Sequence, residues 1–128
     1  MVDLFQTLAS APAELVAMIG DALENRAKDP AQQAILESYI ADLDIAPGSV
    51  LVELGCGTGP VCRRFAEIDS IERVIGIEPA PGLVDTAKEL AKGNPKLDFQ
   101  VASGEQSGLP DGVADIVVLH TLLSHVAD

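Results

Sequence analysis

The chain is short of basic residues, aromatics and cysteine, and each shortage excludes a class of function. Eight Lys and Arg stand against 20 Asp and Glu in 128 residues, a formal net charge of −12. Nucleic acid binding rests on cations that displace condensed counterions from phosphates, and Arg63–Arg64 is the densest basic pair. No nucleic acid partner is expected, and the same deficit argues against anionic membrane surfaces. No apolar run approaches the roughly 20 residues of a membrane span. No basic residue precedes Arg26 to begin a secretory leader, so the cytoplasm is the expected location. Cys56 and Cys62 fit neither a disulfide framework nor the CxxC spacing of metal and redox sites. They read as small hydrophobes in a reducing compartment, and no metal site is expected.

What is abundant is aliphatic. Hydrophobic residues make up 48 % of the chain but aromatics only 3 %. Such a core is built from Leu, Ile, Val and Ala, the usual filling between helices and a parallel sheet. The length suits one domain with one core.

Residues 1–46 read as a helical N-terminal extension of that domain, a cap or lid. Leu4, Phe5 and Leu8 suggest a short helix stopped by Pro12, and Leu15, Met18, Ile19, Ala22 and Leu23 mark the apolar face of a second. Asp29-Pro30-Ala31-Gln32 starts a third helix: Asp29 can cap, Pro30 suits the first helical position and Gln32 can reach back. Leu36, Tyr39, Ile40 and Leu43 form its expected buried stripe, before the Pro47-Gly48 turn.

Residues 47–128 alternate strand and helix. Strands are expected at Val50–Leu54, Arg73–Glu78, Leu97–Val101 and Ala114–Leu119. Helices are expected from Pro60 to Ile68 and around Leu83, Val84, Ala87, Leu90 and Ala91, the latter ended by Gly93-Asn94-Pro95. This alternation argues an α/β, Rossmann-like parallel sheet with right-handed crossovers and helices on both faces. Ile116-Val117-Val118-Leu119 is apolar throughout, as in a strand covered on both sides, whereas Leu97–Val101 alternates. These patterns imply the strand order 3-2-1-4, with the third strand at an edge.

The stretch Glu53-Leu54-Gly55-Cys56-Gly57-Thr58-Gly59-Pro60 leaves a strand and enters a helix, the context in which a glycine loop carries information. Gly55 can take the positive φ of a sharp turn, and Gly57 lets a ligand approach the backbone. A dinucleotide GxGxxG counted from Gly55 would need glycine where Pro60 stands, and no Gly-Lys-Ser/Thr comes next to make a P-loop. A nicotinamide-dependent oxidoreductase is disfavoured accordingly.

With an acid two residues before GxGxG, the chain from about Ile45 onward resembles the class I S-adenosylmethionine-dependent methyltransferases. The likeness is to the small-molecule type related to quinone-biosynthesis enzymes. Val50–Gly59 is similar to the family's first motif and Val74-Ile75-Gly76-Ile77-Glu78 to its second. Val101-Ala102-Ser103-Gly104-Glu105-Gln106, with Leu109–Gly112, is similar to the third. Ala114–His120, with Leu122–Val126, is similar to the family's fourth strand and the segment after it.

The resemblance implies S-adenosylmethionine as donor, S-adenosylhomocysteine as product, and a binding set of Glu53, Gly55, Cys56, Gly57, Gly59, Glu78, Pro79, Gly104, Glu105, Gln106 and His120. Glu78, about 20 residues past the loop, stands where Rossmann-like sites place the carboxylate that accepts from a ribose diol. Glu105, where the family more often has Asp, would accept from the adenine amino group, with the Gln106 amide near the ring. Glu53 would face the methionyl ammonium through water, or else cap the loop amides; a buried strand-end carboxylate needs a partner. His120 would line the methyl-donor region. No catalytic residue is assigned; His120 and His125 are weak candidates, and Asp111 and Asp115 read as turn and strand-start residues.

Family members continue with a fifth strand, a helix and a closing hairpin, and these C-terminal strands are expected to be absent here. Two consequences are expected: an acceptor site that cannot be read, and a fourth-strand edge open to a second copy or a partner chain. The expected activity is methyl transfer to a small-molecule acceptor by in-line displacement. The alternative is a non-catalytic donor-binding module that needs a partner.

Overall fold

The computed structural model describes residues 12–102 and 112–119. Two helices come first, α1 (Ala13–Ala27) and α2 (Pro30–Asp42). They lead into β1 (Ser49–Leu54), α3 (Pro60–Ala66), β2 (Ile71–Glu78), α4 (Pro81–Ala91), β3 (Leu97–Val101) and β4 (Ile116–Val118). The four strands are all parallel, in the order β3-β2-β1-β4. Sheet type and strand order are those the alternation implied.

Local chemistry sets the boundaries. Asp29 accepts a hydrogen bond from the Ala31 amide and Pro30 takes the first position of α2, as expected of a cap; no Gln32 reach-back accompanies it among the described residues. Pro60 and Pro81 likewise open α3 and α4, where a missing N–H costs nothing. The helix α4 closes on Lys92 at φ 52, succeeded by Gly93 at φ 73. A residue with a Cβ thus makes the left-handed turn one position before the expected glycine. Strand β2 starts two residues earlier than expected, β4 is shorter at both ends, and α3 stops at Ala66 instead of Ile68.

One face of the sheet carries the main core. Leu51, Val74, Phe99 and Val118 meet Phe65 of α3 and Val84 of α4, and Leu36, Ile40 and Leu43 pack against its margin. Burying a side chain such as Phe65 or Leu51 completely is worth roughly 1.5–3 kcal/mol. Val52, Ile75 and Ile77 form a second cluster on the opposite face. The short helices expected from residues 1–11 and after the fourth strand lie outside the described residues.

Three patterns read differently in three dimensions. On α1 the packed face is Val16, Ile19, Gly20 and Leu23, while Leu15 and Met18 are 45 % and 68 % exposed. The stripe is rotated by one residue because Gly20, lacking a side chain, lets α1 settle against Thr58 and Leu83. On α2 no residue is fully buried, and Tyr39 turns outward. On β4, Val118 is buried but Val117 is 54 % exposed, so the strand is covered on one side among the described residues.

A transverse row of the sheet reads Phe99, Gly76, Glu53, Val118. Gly76 is the gap in that row. A Cβ on it would lie 2.6 Å from Phe99 Cδ1 and 2.8 Å from Cys56 Sγ. Gly76→Ala is therefore expected to destabilise the fold by about 1–3 kcal/mol through overpacking. Urea unfolding checks this: the midpoint should fall at unchanged slope, and an unmoved midpoint would mean that Phe99 yields without cost.

Candidate functional site

The site is built where β1 and β2 end and their loops turn into helices. Gly55, Gly57 and Gly59 all take positive φ (72°, 59° and 84°), a path open to residues without a Cβ. The amides of Gly55 and Cys56 donate to the Ile77 carbonyl, and the Gly59 amide donates to the Cys56 carbonyl, closing the turn. Gly59 then precedes Pro60, and a Cβ there would strike the Phe99 ring at 2.8 Å.

Glu78 joins the two loops. Its Oε1 accepts from the Gly57 amide at 3.0 Å and its Oε2 from the Ala80 amide at 2.9 Å. The Glu78 side chain is fully buried. Pro79, between the two bonds, is half-buried. The role of capping the loop amides, which the sequence left open for Glu53, falls to Glu78.

Glu53 is also fully buried. Its Oε1 accepts from the Cys62 thiol at 3.1 Å, and its Oε2 is the buried side-chain atom left without a hydrogen bond among the described residues. Burial pushes its carboxyl up to about 8; the Cys62 hydrogen bond opposes this and the Glu78 charge adds to it. For Cys56, the hydrogen bond with Cys62 pulls downward, but burial and the Glu53 and Glu78 charges outweigh it and raise the thiol. The bond with Cys56, together with burial, lifts Cys62 well above the ordinary thiol value. Both cysteines are free and buried, and such thiols stay protonated and inert at neutral pH.

Sequence patterns marked residues 1–46 as a cap or lid but did not reveal which contacts hold the N-terminal helices over the loop. Helix α1 crosses it: a Cβ on Gly57 would lie 2.9 Å from Leu23 Cδ1, and one on Gly82 would lie 2.7 Å from Val16 Cγ1. Glu24 accepts from the Thr58 hydroxyl through one oxygen and pairs with Arg63 through the other, while Arg63 also donates to the Thr58 carbonyl. The space beside Gly57, where the sequence led us to expect a ligand's approach, is filled by Leu23 in this structure. Thr58 lies in the glycine-loop motif without a role assigned to it there, and Glu24 and Arg63 carried no motif; only an i, i+5 pair reaching back to a helix 34 residues earlier would have revealed the clamp.

Beside this clamp lies a cavity of about 500 Å³ between α1, α2 and α3, with Cys56, Gly57 and Pro60 in its wall. Neither Glu53 nor Glu78 lines it. The structure therefore brings Glu53, Gly55, Cys56, Gly57, Gly59, Glu78 and Pro79 together. Gly104, Glu105, Gln106, His120 and His125 lie outside the described residues, as does Asp111. Asp115 accepts from the Val50 amide at 2.8 Å, the strand-start role expected of it.

Comparison with known proteins agrees with this geometry. Residues 52–128 match the family model of the methyltransferase domain. The mitochondrial ubiquinone biosynthesis O-methyltransferase of Saccharomyces cerevisiae is 31 % identical over 100 residues, covering 77 % of this chain and 32 % of that protein. The ubiquinone/menaquinone biosynthesis C-methyltransferase of Caulobacter vibrioides is 29 % identical, covering 72 % of this chain and 40 % of its own. The chain thus spans about a third of the length of the curated relatives it matches. Among solved structures, geranyl diphosphate C-methyltransferase from Streptomyces coelicolor, in complex with S-adenosylhomocysteine, superposes with a TM-score of 0.61 at 20 % identity. That match covers 67 % of this chain and 32 % of the other. Matched over its glycine loop, both buried glutamates and its 3-2-1-4 sheet, the chain belongs to the methyltransferase domain family, whose methyl donor is S-adenosylmethionine.

Proposed function

We propose that this chain forms the donor side of a methyltransferase that acts on a small molecule. One observation carries the reading. Two buried carboxylates end the two central strands around a loop of three left-handed glycines, and one carboxylate oxygen, Glu53 Oε2, lacks a donor among the described residues. A buried acceptor without a partner is costly, and an ammonium group is the donor that would satisfy it. When bound, S-adenosylmethionine supplies a methyl group on a sulfonium, transferred as its bonding pair returns to sulfur.

The chain's own residues hold and shield. Glu53 receives the methionyl ammonium. Glu78 keeps both loops in register through Gly57 and Ala80, and a carboxylate, with about four lone-pair sites, can accept from a ribose diol as well. Gly104, Glu105 and Gln106 take the adenine and His120 lines the donor, roles that rest on the family motif alone. Helices α1 and α2 act as part of the lid: Leu23 must move off Gly57 for the donor to approach that residue's backbone, and the Glu24 bonds to Thr58 and Arg63 close it again. Excluding water and fixing geometry is how an in-line displacement is accelerated, worth roughly 7–11 kcal/mol in well-aligned cases.

Calorimetric titration with S-adenosylmethionine, S-adenosylhomocysteine and NAD tests the reading. The two adenosyl ligands should bind and NAD should not; the reverse would sink it. Glu78→Ala should weaken donor binding at least tenfold, because Gly57 and Ala80 lose their common anchor. Affinity should also depend on pH. Glu53 is protonated below about 8, an ammonium prefers the anion, and binding therefore expels a proton. Donor affinity is expected to climb as pH rises towards 8 and then level off, and Glu53→Gln should abolish the climb. A flat profile in the parent chain would remove Glu53 from the site.

A further inference from the structure

The chain's cations are few and unevenly placed. Four of its eight basic residues, Arg26, Lys28, Arg63 and Arg64, line the cavity between α1, α2 and α3. Three carboxylates share that wall, so the lining is positive by one charge in a chain of −12. Two of the cations are committed to the fold: Arg63 to Glu24, and Arg64 to Glu37 through two parallel bonds of 2.7 Å. Arg26 and Lys28 take part in no ion pair among the described residues. They flank the exposed end of α1, where its C-terminal turn meets the cavity. The rest of the wall is largely apolar, with Leu23, Leu36 and Val61. A pocket of this size with an apolar wall and a few converging polar groups is the usual form of a small-ligand site.

We propose that this cavity holds the methyl acceptor, and that the acceptor joins an apolar body to an anionic oxygen group gripped by Arg26 and Lys28. The assignment rests on the methyltransferase reading for the word acceptor, and on the cavity alone for the ligand's chemistry. The cavity wall includes Cys56 and Gly57, so its occupant lies against the glycine loop. The body packs on Leu23, Leu36 and Val61. The anion stays near the mouth, where Arg26 and Lys28 stand at the surface and the charge keeps part of its water. Elsewhere the acidic surface repels anions, so the cavity selects where such a ligand binds. A neutral or cationic molecule of the same shape gains nothing from these two cations. Attraction between exposed charges is screened over about 10 Å at 0.1 M salt, so the preference should weaken as salt is added.

The same naphthalene body with three head groups tests this on the intact chain: naphthalene-2-carboxylate, 2-naphthyl phosphate and the uncharged naphthalene-2-carboxamide. Affinities come from fluorescence titration at low salt, and the site from amide chemical shifts. At least one anion should bind tenfold or more tightly than the carboxamide, with shifts at Arg26, Lys28 and Gly57. Which anion binds better distinguishes a carboxylate from a phosphate acceptor. The paired substitution Arg26→Gln and Lys28→Gln should bring that anion down to the affinity of the carboxamide. Glu67→Gln, which removes a carboxylate from the same wall, should tighten it. Equal affinities for all three ligands, shifts confined to other residues, or a double variant that binds the anions as before would overturn the proposal. A parallel titration with S-adenosylmethionine separates the two readings. Donor binding without anion binding removes this inference alone, and anion binding without donor binding removes the methyltransferase reading alone.

Discussion

The tie between Glu78 and the amides of Gly57 and Ala80 is the constraint on which the rest of the site depends. It binds the loop after β1 to the loop after β2, the two loops from which α3 and α4 start. Each amide belongs to a turn that would otherwise leave a buried donor unsatisfied, at a cost of about 1–3 kcal/mol. Because the acceptor is a carboxylate, one side chain satisfies both turns. Helix α1 can then lie on a surface whose two halves hold a fixed spacing, with Leu23 over one loop and Val16 over the other.

Glu53 is the counterpart of that tie. Glu78 has a donor on each oxygen, whereas Glu53 has a thiol on one oxygen and nothing described on the other. Burial raises the Glu53 carboxyl, and the nearby Glu78 charge adds to it. Among the described residues the fold therefore keeps one carboxylate for its own amides and leaves the second with one oxygen unpaired. In the proposed function it is this asymmetry, rather than the glycines, that draws a cationic group to the loop.

The N-terminal helices and the cavity extend the same logic outward. Arg63 and Glu24 hold α1 to α3, and Arg64 and Glu37 hold α2 to it. Two of the four cations around the cavity are thereby committed to structure, which leaves Arg26 and Lys28 without an ion pair among the described residues. The acidity of the whole chain gives this small excess its weight: a single positive wall stands out against −12.

Sequence alone determined the sheet, its strand order and the residues of the glycine loop. These come from local rules: apolar runs of strand length, prolines at helix starts and glycines where φ must be positive. Asp29 was legible for the same reason, since its cap is a bond to an amide two residues on, whereas for Asp115 only its place at a strand start was legible and not its bond to Val50, 65 residues away. Other features needed the tertiary structure. The buried face of α1 was misread because Gly20 contributes no hydrophobicity to a periodic pattern, yet its bareness is what admits Thr58 and Leu83. The gap at Gly76, filled by Phe99 and Cys56, joins residues from β2, β3 and the loop, whose register no local signal encodes. The division of work between Glu53 and Glu78 likewise depended on which carboxylate reaches the loop amides. Local preference writes the elements, but which side chain meets which partner across them is decided only when the sheet and helices pack.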